Sequence, residues 1–379
     1  MSKAGLYFHI PFCLKKCAYC DFCSYVGQSD AQMRAYADAL IKEMEYHAKR
    51  AKDTTFDTLF FGGGTPSLLP TDVVMRILSR ANELFCIDRD AEITLEANPA
   101  TADEAKLSSL REMGVNRLSV GVQSLSDVEL RYLGRIHSAS DALSFLQSAR
   151  CAGFENINVD LMYGIPAQTV ESAKETLFGV LAFAPTHISA YSLMLEEGTP
   201  LHQRRSTLPL PSEETEDAID ALVRETLDSH GYLHYEISNY AKPGRESRHN
   251  LHYWRSEPYL GFGPSAYSFF DGVRYGTSAD LLVYLQDPLA SPADSDVLNE
   301  EALAYEWIML RLRLKEGISF SEYRTRFGVD LKESYRAQIE AFSAKGLMGE
   351  RDGRLFLTES GFRLSNSILV AFMDGEKNC

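Results

Sequence analysis

The chain has 379 residues, 45% of them hydrophobic, so it can bury a sizeable core across one large domain and a smaller one, which excludes a disordered chain. A net charge of −15 excludes broad electrostatic binding to nucleic acid or anionic lipid, though not a local basic patch. Residues 1–6 carry no apolar signal-peptide core, and no stretch approaches the ~20 apolar residues of a membrane helix. The expectation is a cytoplasmic chain whose thiols stay reduced.

Short β-rich runs alternate with helical patterns. Strands are predicted over 6–10, 58–61, 92–96, 117–122, 156–162 and 187–193. The first helix places Met33, Tyr36, Ala37, Leu40, Ile41 and Met44 on one face. The second carries Val73, Val74, Ile77, Leu78 and Ala81, with Thr71 and Asp72 as N-cap candidates. A third contains Leu107, Leu110 and Met113, and Gly114 stops it. Further helices are predicted over 141–152, 171–182 and 213–229. Repeated β-then-α units imply parallel strands with right-handed crossovers. Six of them suggest a full or partial barrel, with a doubly wound sheet as the alternative.

Past residue 240 the pattern changes. "NYAKPGRESRHNLHYW" is polar with Pro and Gly punctuation and reads as a loop. Asp271-Gly272 in "YSFFDGVRYGT" signals a hairpin, and "QDPLASPADSD" a linker. Helices over 299–314, 320–327 and 331–343, then a hairpin turning at Asp352-Gly353, suggest a winged-helix-like unit. Residues 298–379 hold 12 Lys and Arg against 13 Asp and Glu, so a structural or partner-facing role fits better than DNA binding. The expected division is 1–240, 241–297 and 298–379.

"HIPFCLKKCAYCDFCSY" holds four of the seven cysteines: Cys13, Cys17, Cys20 and Cys23. Zinc sites pair one C-x2-C unit with a second downstream, and none follows here. Cys86, Cys151 and Cys379 are scattered singles. Closely spaced thiols suit an iron–sulfur cluster, and three ligands leave one iron of a four-iron cluster open. "FFGGGTPS" follows the second strand, where glycine permits close backbone approach to a ligand. Glu96 and Asp160 lie in apolar strand sequence, where an unpaired carboxylate is costly, so each needs a partner. Gln123 could satisfy barrel backbone, and Arg135 could form a surface ion pair.

The Cys13-x3-Cys17-x2-Cys20 spacing resembles the radical S-adenosylmethionine (SAM) superfamily. The whole chain resembles one branch of it, the oxygen-independent coproporphyrinogen III oxidases and the related HemW-type heme chaperones. The resemblance rests on "YFHIPFCLKKCAYC", "GGGTPS", "EANP", "GVQS", "LGRIHS", "VDLMYGIP" and "HNLHYW". It implies a partial (β/α)6 TIM-like barrel and a smaller C-terminal helical, winged-helix-like domain. It implies a [4Fe-4S] cluster on Cys13, Cys17 and Cys20, whose open iron chelates SAM. Tyr7 and Tyr19 would lie against the cofactors, and Gly63, Gly64 and Thr65 would line the methionine end. Glu96, Gln123, Arg135 and Asp160 match further cofactor-binding positions.

Within that branch the oxidases carry a fourth cysteine two residues after the third ligand; here Phe22 stands there and the cysteine falls one later, at Cys23. Cys23 is read as a spare thiol. The oxidases also carry an N-terminal extension over the substrate site, and only six residues precede Tyr7, so none is expected. "HNLHYW" matches the HNxxYW motif of the chaperones, with His249 the heme-ligand candidate, His252 its competitor, and Tyr253 and Trp254 able to pack on a porphyrin. The expectation is a HemW-like heme chaperone; a coproporphyrinogen III oxidase is the alternative. Implied partners are heme, heme-accepting proteins and an electron donor, with no nucleic acid; transient membrane contact and a homodimer stay open.

Overall fold

The computed structural model describes residues 3–289, 294–296 and 299–374. Cys379 and residues 290–293 of the expected linker lie outside the described residues. Six strands, each followed by a helical segment, form the core: β1 (Lys3–Ile10), β2 (Thr55–Gly63), β3 (Cys86–Ala97), β4 (Arg117–Gln123), β5 (Asn156–Tyr163) and β6 (His187–Ser192). They pair in that order, all parallel. The main connecting helices are α1 (Asp30–Ala48), α2 (Thr71–Leu84), α3 (Glu104–Glu112), α4 (Ala139–Cys151), α5 (Val170–Leu181) and α6 (Glu213–Ser229). The sheet continues through β7 (Leu233–His234) and β8 (Asn239–Ala241), then α7 (Arg248–Trp254), β9 (Tyr259–Phe262), β10 (Tyr267–Phe270), β11 (Val273–Gly276) and β12 (Asp294–Asp296). Strand β9 adds a seventh parallel strand beside β1. The order β12-β11-β10-β9-β1-β2-β3-β4-β5-β6-β8-β7 is open at both ends, so the barrel is partial.

Strand β1 shows how sequence fixes the two faces. Leu6, Phe8 and Ile10 are fully buried outward against the helical layer, where Phe8 packs tilted on Phe61 and stacks on Phe262. Tyr7 and His9 alternate inward, as the two-residue strand period requires. Both faces are covered, so beyond Lys3 the strand is apolar apart from Tyr7 and His9.

The C-terminal unit has its own core around Trp307, Ile308, Tyr323, Ile339 and Leu355. Its order is α8 (Glu300–Arg311), β13 (Ile318–Ser319), α9 (Phe320–Phe327), α10 (Leu331–Ser334), α11 (Arg336–Ala344), β14 (Met348–Arg351) and β15 (Arg354–Leu357). This is a winged-helix arrangement, with strand order β13-β15-β14. Asp352 and Gly353 turn its wing with φ of 51° and 74°; Asp271 and Gly272, at 54° and 76°, turn the β10–β11 hairpin. Paired positive φ is the geometry expected of Asp-Gly in two-residue loops.

Several sequence expectations need correction. "HNLHYW" is helical: Ser247 caps α7 by accepting from the Asn250 amide at 3.4 Å. Proline and glycine before it belong to the approach, not to the motif. Helix α2 begins after Pro70 with no side-chain cap, so neither Thr71 nor Asp72 serves as the expected N-cap. The predicted 331–343 helix breaks at Tyr335. Strand β3 starts at Cys86, because Cys86 and Ile87 pair with Thr55 and Phe56 at the start of β2 before a register shift passes over the charged residues 88–90 and pairing resumes at Glu92.

Candidate functional site

Between β1 and α1, Cys17 and Cys20 lie on a loop, and Cys13 ends the two-residue strand Phe12–Cys13 that pairs with Tyr25–Val26 at the loop's base. Residues 14–24 contain no helix or strand. The loop is tied down from outside: Ala18 N–H donates to Leu133 O at 2.9 Å, and Tyr25 N–H to Pro11 O at 2.6 Å. His9 bridges barrel and loop, with Nδ1 3.1 Å from Tyr7 OH and Nε2 2.9 Å from Cys23 O. Its side chain was not singled out in the sequence, although a polar residue in an apolar strand was the available signal.

Around the thiols the barrel supplies polar groups from successive strand ends. Thr65 Oγ1 lies 3.6 Å from Cys13 Sγ and accepts from Asn98 Nδ2 at 2.9 Å. Arg135 donates to Asn98 Oδ1 and Gly121 O, and its Nη1 stands 3.5 Å from Cys17 Sγ. The guanidinium is therefore a buried structural and electrostatic element, and no surface ion pair. Burial first and the neighbouring sulfurs in addition push the Cys13 thiol up, and push Cys20 up to about 11. Such a trio needs compensating positive charge to hold thiolates, and this donor set with an adjacent guanidinium fits an iron–sulfur cluster. Among the described residues no three His, Cys, Asp or Glu side chains converge on a single ion. A cluster does not require that, since its thiolates ligate different irons.

Gly64 fixes the loop's approach to β2. A Cβ there would sit 2.8 Å from both Ile10 O and Phe12 O. The bare backbone instead donates to Ile10 O at 2.9 Å, and Thr65 N–H to Phe12 O at 2.8 Å. Gly63 N–H donates to Glu96 Oε2 at 3.0 Å. Burial, then the charge of Asp160, pushes the Glu96 carboxyl up to about 8. Burial likewise raises Asp160, opposed by hydrogen bonds from Ser189, Asn158 and Ser119. Gln123 carries a left-handed backbone (φ 69°) and accepts from Tyr191 OH at 3.1 Å. A non-glycine residue in that region at a strand end is a strained position of the kind found at ligand sites. Tyr19 packs with Leu133, Met162 and Tyr191 beside the thiols. Tyr7, Gly63, Glu96, Cys23 and Tyr253 share the wall of one cavity of about 570 Å³.

His249 enters the barrel from below. Its imidazole is 1% exposed and stacks on Phe60, 5.1 Å between centroids. Gly5 makes room for it: a Cβ there would lie 3.0 Å from the ring. Nδ1 is 2.8 Å from Thr58 Oγ1, and Nε2 is 2.7 Å from Tyr253 OH. Burial holds the ring far below its ordinary pKa, so it is neutral. His249 thus lies behind the cavity wall, with Tyr253 between. His252 points the other way, with Nε2 2.7 Å from Asp57 and Nδ1 2.5 Å from Glu257. Burial would lower its pKa, but those two carboxylates raise it to about 9. A protonated imidazole has no lone pair for a metal. Trp254 sits under Arg313, 5.5 Å from guanidinium to ring centroid. Cys23 donates to Ala279 O at 3.3 Å, and Cys86 and Cys151 are exposed.

An open parallel barrel with three thiols at the C-terminal end of its first strand defines a radical SAM protein. The Radical SAM superfamily model matches residues 7–178, and the HemN C-terminal domain model residues 298–364. The solved coproporphyrinogen III oxidase HemN of Escherichia coli superposes with a TM-score of 0.86, covering 98% of this chain and 90% of that one at 24% identity, which shows the shared fold. The heme chaperone HemW of Lactococcus lactis subsp. lactis is 34% identical over 372 residues, 97% of this chain and 96% of the relative. That of Bacillus subtilis is 34% identical over 374 residues, 97% and 98%. The chain belongs to the HemW family within the radical SAM superfamily. Membership implies an iron–sulfur cluster and SAM. No helix among the described residues is long and apolar enough to cross a membrane.

Proposed function

We propose that this chain binds heme and passes it to heme-requiring acceptor proteins in the cytoplasm, and that it lacks decarboxylase activity on coproporphyrinogen III. Cys13, Cys17 and Cys20 hold a [4Fe-4S] cluster. Tyr7, Tyr19, Gly63, Gly64, Thr65, Glu96, Gln123, Arg135 and Asp160 bind SAM, and His249 ligates the heme iron. When bound, cluster and SAM supply one-electron chemistry, fed by an external donor. The protein's own part is to orient and exclude water. Arg135 and Thr65 stabilise thiolate charge, while Glu96 and Asp160 offer paired carboxyls to ligand hydroxyls or amines. Residues 1–240 serve as the barrel, to which 241–297 lends strand β9 while its remainder is the heme-facing connector, and 298–379 serve as the winged-helix unit.

The observation that carries this reading is the setting of His249. Metal-ligating histidines use one nitrogen for the metal and anchor the other by a hydrogen bond. Thr58 anchors Nδ1 at 2.8 Å, and Nε2 is held by Tyr253, a residue of the cavity wall. The test is anaerobic reconstitution of the cluster, followed by parallel assays of heme binding and coproporphyrinogen III decarboxylation. Heme uptake without turnover is expected; robust formation of protoporphyrinogen would sink the proposal.

A further inference from the structure

A second chamber lies on the far side of Tyr253. It measures about 470 Å³, within the roughly 300–1,000 Å³ typical of small-molecule sites. The end of α7, strands β9, β10 and β11, and helix α8 of the C-terminal unit enclose it. Its wall is largely apolar and aromatic, from Tyr253, Tyr259, Phe269, Met309 and Leu310. Tyr253 and Tyr259 also line the 570 Å³ cavity, so this edge-on ring pair, 4.6 Å between centroids, is the partition between the two spaces. Arg274, the cation of the lining, makes a two-pronged ion pair with Glu306 and stacks over Phe269 at 5.7 Å.

We infer that this chamber seats the macrocycle of a porphyrin, and that Tyr253 is the swinging partition that exposes His249 Nε2 to it. This rests on the heme reading above and adds where the ring sits. Three observations converge. Aromatic walls suit a planar π-system. Arg274 can exchange the Glu306 carboxylate for one belonging to a ligand, and porphyrins of this class carry such groups. The third is positional: His249 and Tyr253 stand four residues apart on one helix face, with Nε2 2.7 Å from the phenol. Rotation of Tyr253 about its side-chain bonds frees the Nε2 lone pair while Thr58 retains Nδ1. The connecting segment and the winged-helix unit then acquire a common purpose, since α8 supplies one wall.

The experiment compares the cluster-reconstituted full chain with two filling variants, Ala302→Trp and Met309→Trp, which approach the chamber from different turns of α8. Each is titrated with heme, read by the Soret band, and with iron-free protoporphyrin IX, read by porphyrin fluorescence. Cluster absorbance and the thermal unfolding midpoint verify that each variant is folded. Both fillings are expected to weaken both ligands roughly tenfold or more. If the unmodified chain binds heme and neither folded filling variant weakens it, the chamber is not the seat, although the heme reading stands. Should the chain bind the iron-free ring but not heme, with the fillings abolishing that binding, the chamber stands and His249 ligation fails. Binding of neither ligand by the unmodified chain overturns both.

Discussion

The thiol loop and helix α7 border the same cavity and are built in opposite ways. Residues 14–24 form no regular structure, and a single backbone bond inside the loop, Cys20 N–H to Cys17 O at 3.3 Å, joins two of the thiol residues. Leu14 and Phe22 stand 58% and 63% exposed. Helix α7, by contrast, is held on every side. Ser247 caps it, Glu92 accepts from the Arg248 and His249 amides at 3.4 and 3.3 Å, and Asp57 receives both Arg248 and His252. The difference assigns their order to different sources. The helix is held along its length by a cap and ion pairs, whereas the protein pins the loop at separate points, Ala18 to Leu133 and Leu201 and Cys23 O to His9, and leaves the thiol stretch between them for what it binds.

The contrast can be broken most severely at the thiols. Cys17→Ser is expected to abolish the broad charge-transfer absorbance near ~400 nm after reconstitution. It should also raise proteolytic cleavage within 14–24 while leaving hydrogen exchange in α7 unchanged. Equal loosening of both segments would contradict the division. Next in size is Gly64→Ala. The added Cβ meets backbone oxygens at 2.8 Å, which cannot move aside as a flexible side chain would. A loss of about 1–3 kcal/mol in chemical denaturation is expected, together with weakened SAM binding.

A smaller effect sharpens the helix side. His252 is raised from 6.5 to about 9, so its contribution to stability is complete below pH 6.5 and disappears as pH rises through about 9. Asp57 responds in the opposite direction. Burial pushes its carboxyl up, but hydrogen bonds from His252 and Arg248 prevail and hold it at about 2, so its contribution is present above 3.8 and lost as pH falls through about 2. The difference in melting temperature between the unmodified chain and His252→Gln should therefore shrink between pH 6.5 and about 9. A constant difference would show that the ion pair does not hold α7. The smallest expected effect is that of Cys23→Ser. Its thiol bonds Ala279 O and the Tyr25 hydroxyl, and the link to His9 uses its carbonyl, so cluster absorbance should persist. Loss of the cluster would make Cys23 a ligand.

Much of the barrel was legible because buried parallel strands are short, apolar and separated by helices of clear 3.6-residue period. Helix α6 matched its predicted span, 213–229, and Gly114 stops α3 with φ 104°. The site was legible where chemistry needs fixed spacing, as with the three thiols. What escaped depended on contacts distant in sequence. Strand β9 is four residues, and only its pairing with β1 makes it a barrel strand. Asn98, inside a quoted motif, gains its role only when Arg135 and Thr65 fold onto it. Helix α7 reads as a loop in the sequence because its first amides are satisfied by Glu92 and its Arg248 and His252 side chains by Asp57, both on other strands. For the same reason, the sequence could place His249 in a motif but not behind Tyr253.

The most direct measurement is the heme spectrum of His249→Ala beside that of the unmodified, cluster-reconstituted chain. A heme-binding protein that uses this imidazole should show a shifted Soret band and weaker heme affinity in the variant, with its cluster absorbance intact. An unchanged Soret position and affinity in a folded His249→Ala protein would contradict the assignment of α7 as the heme-binding element.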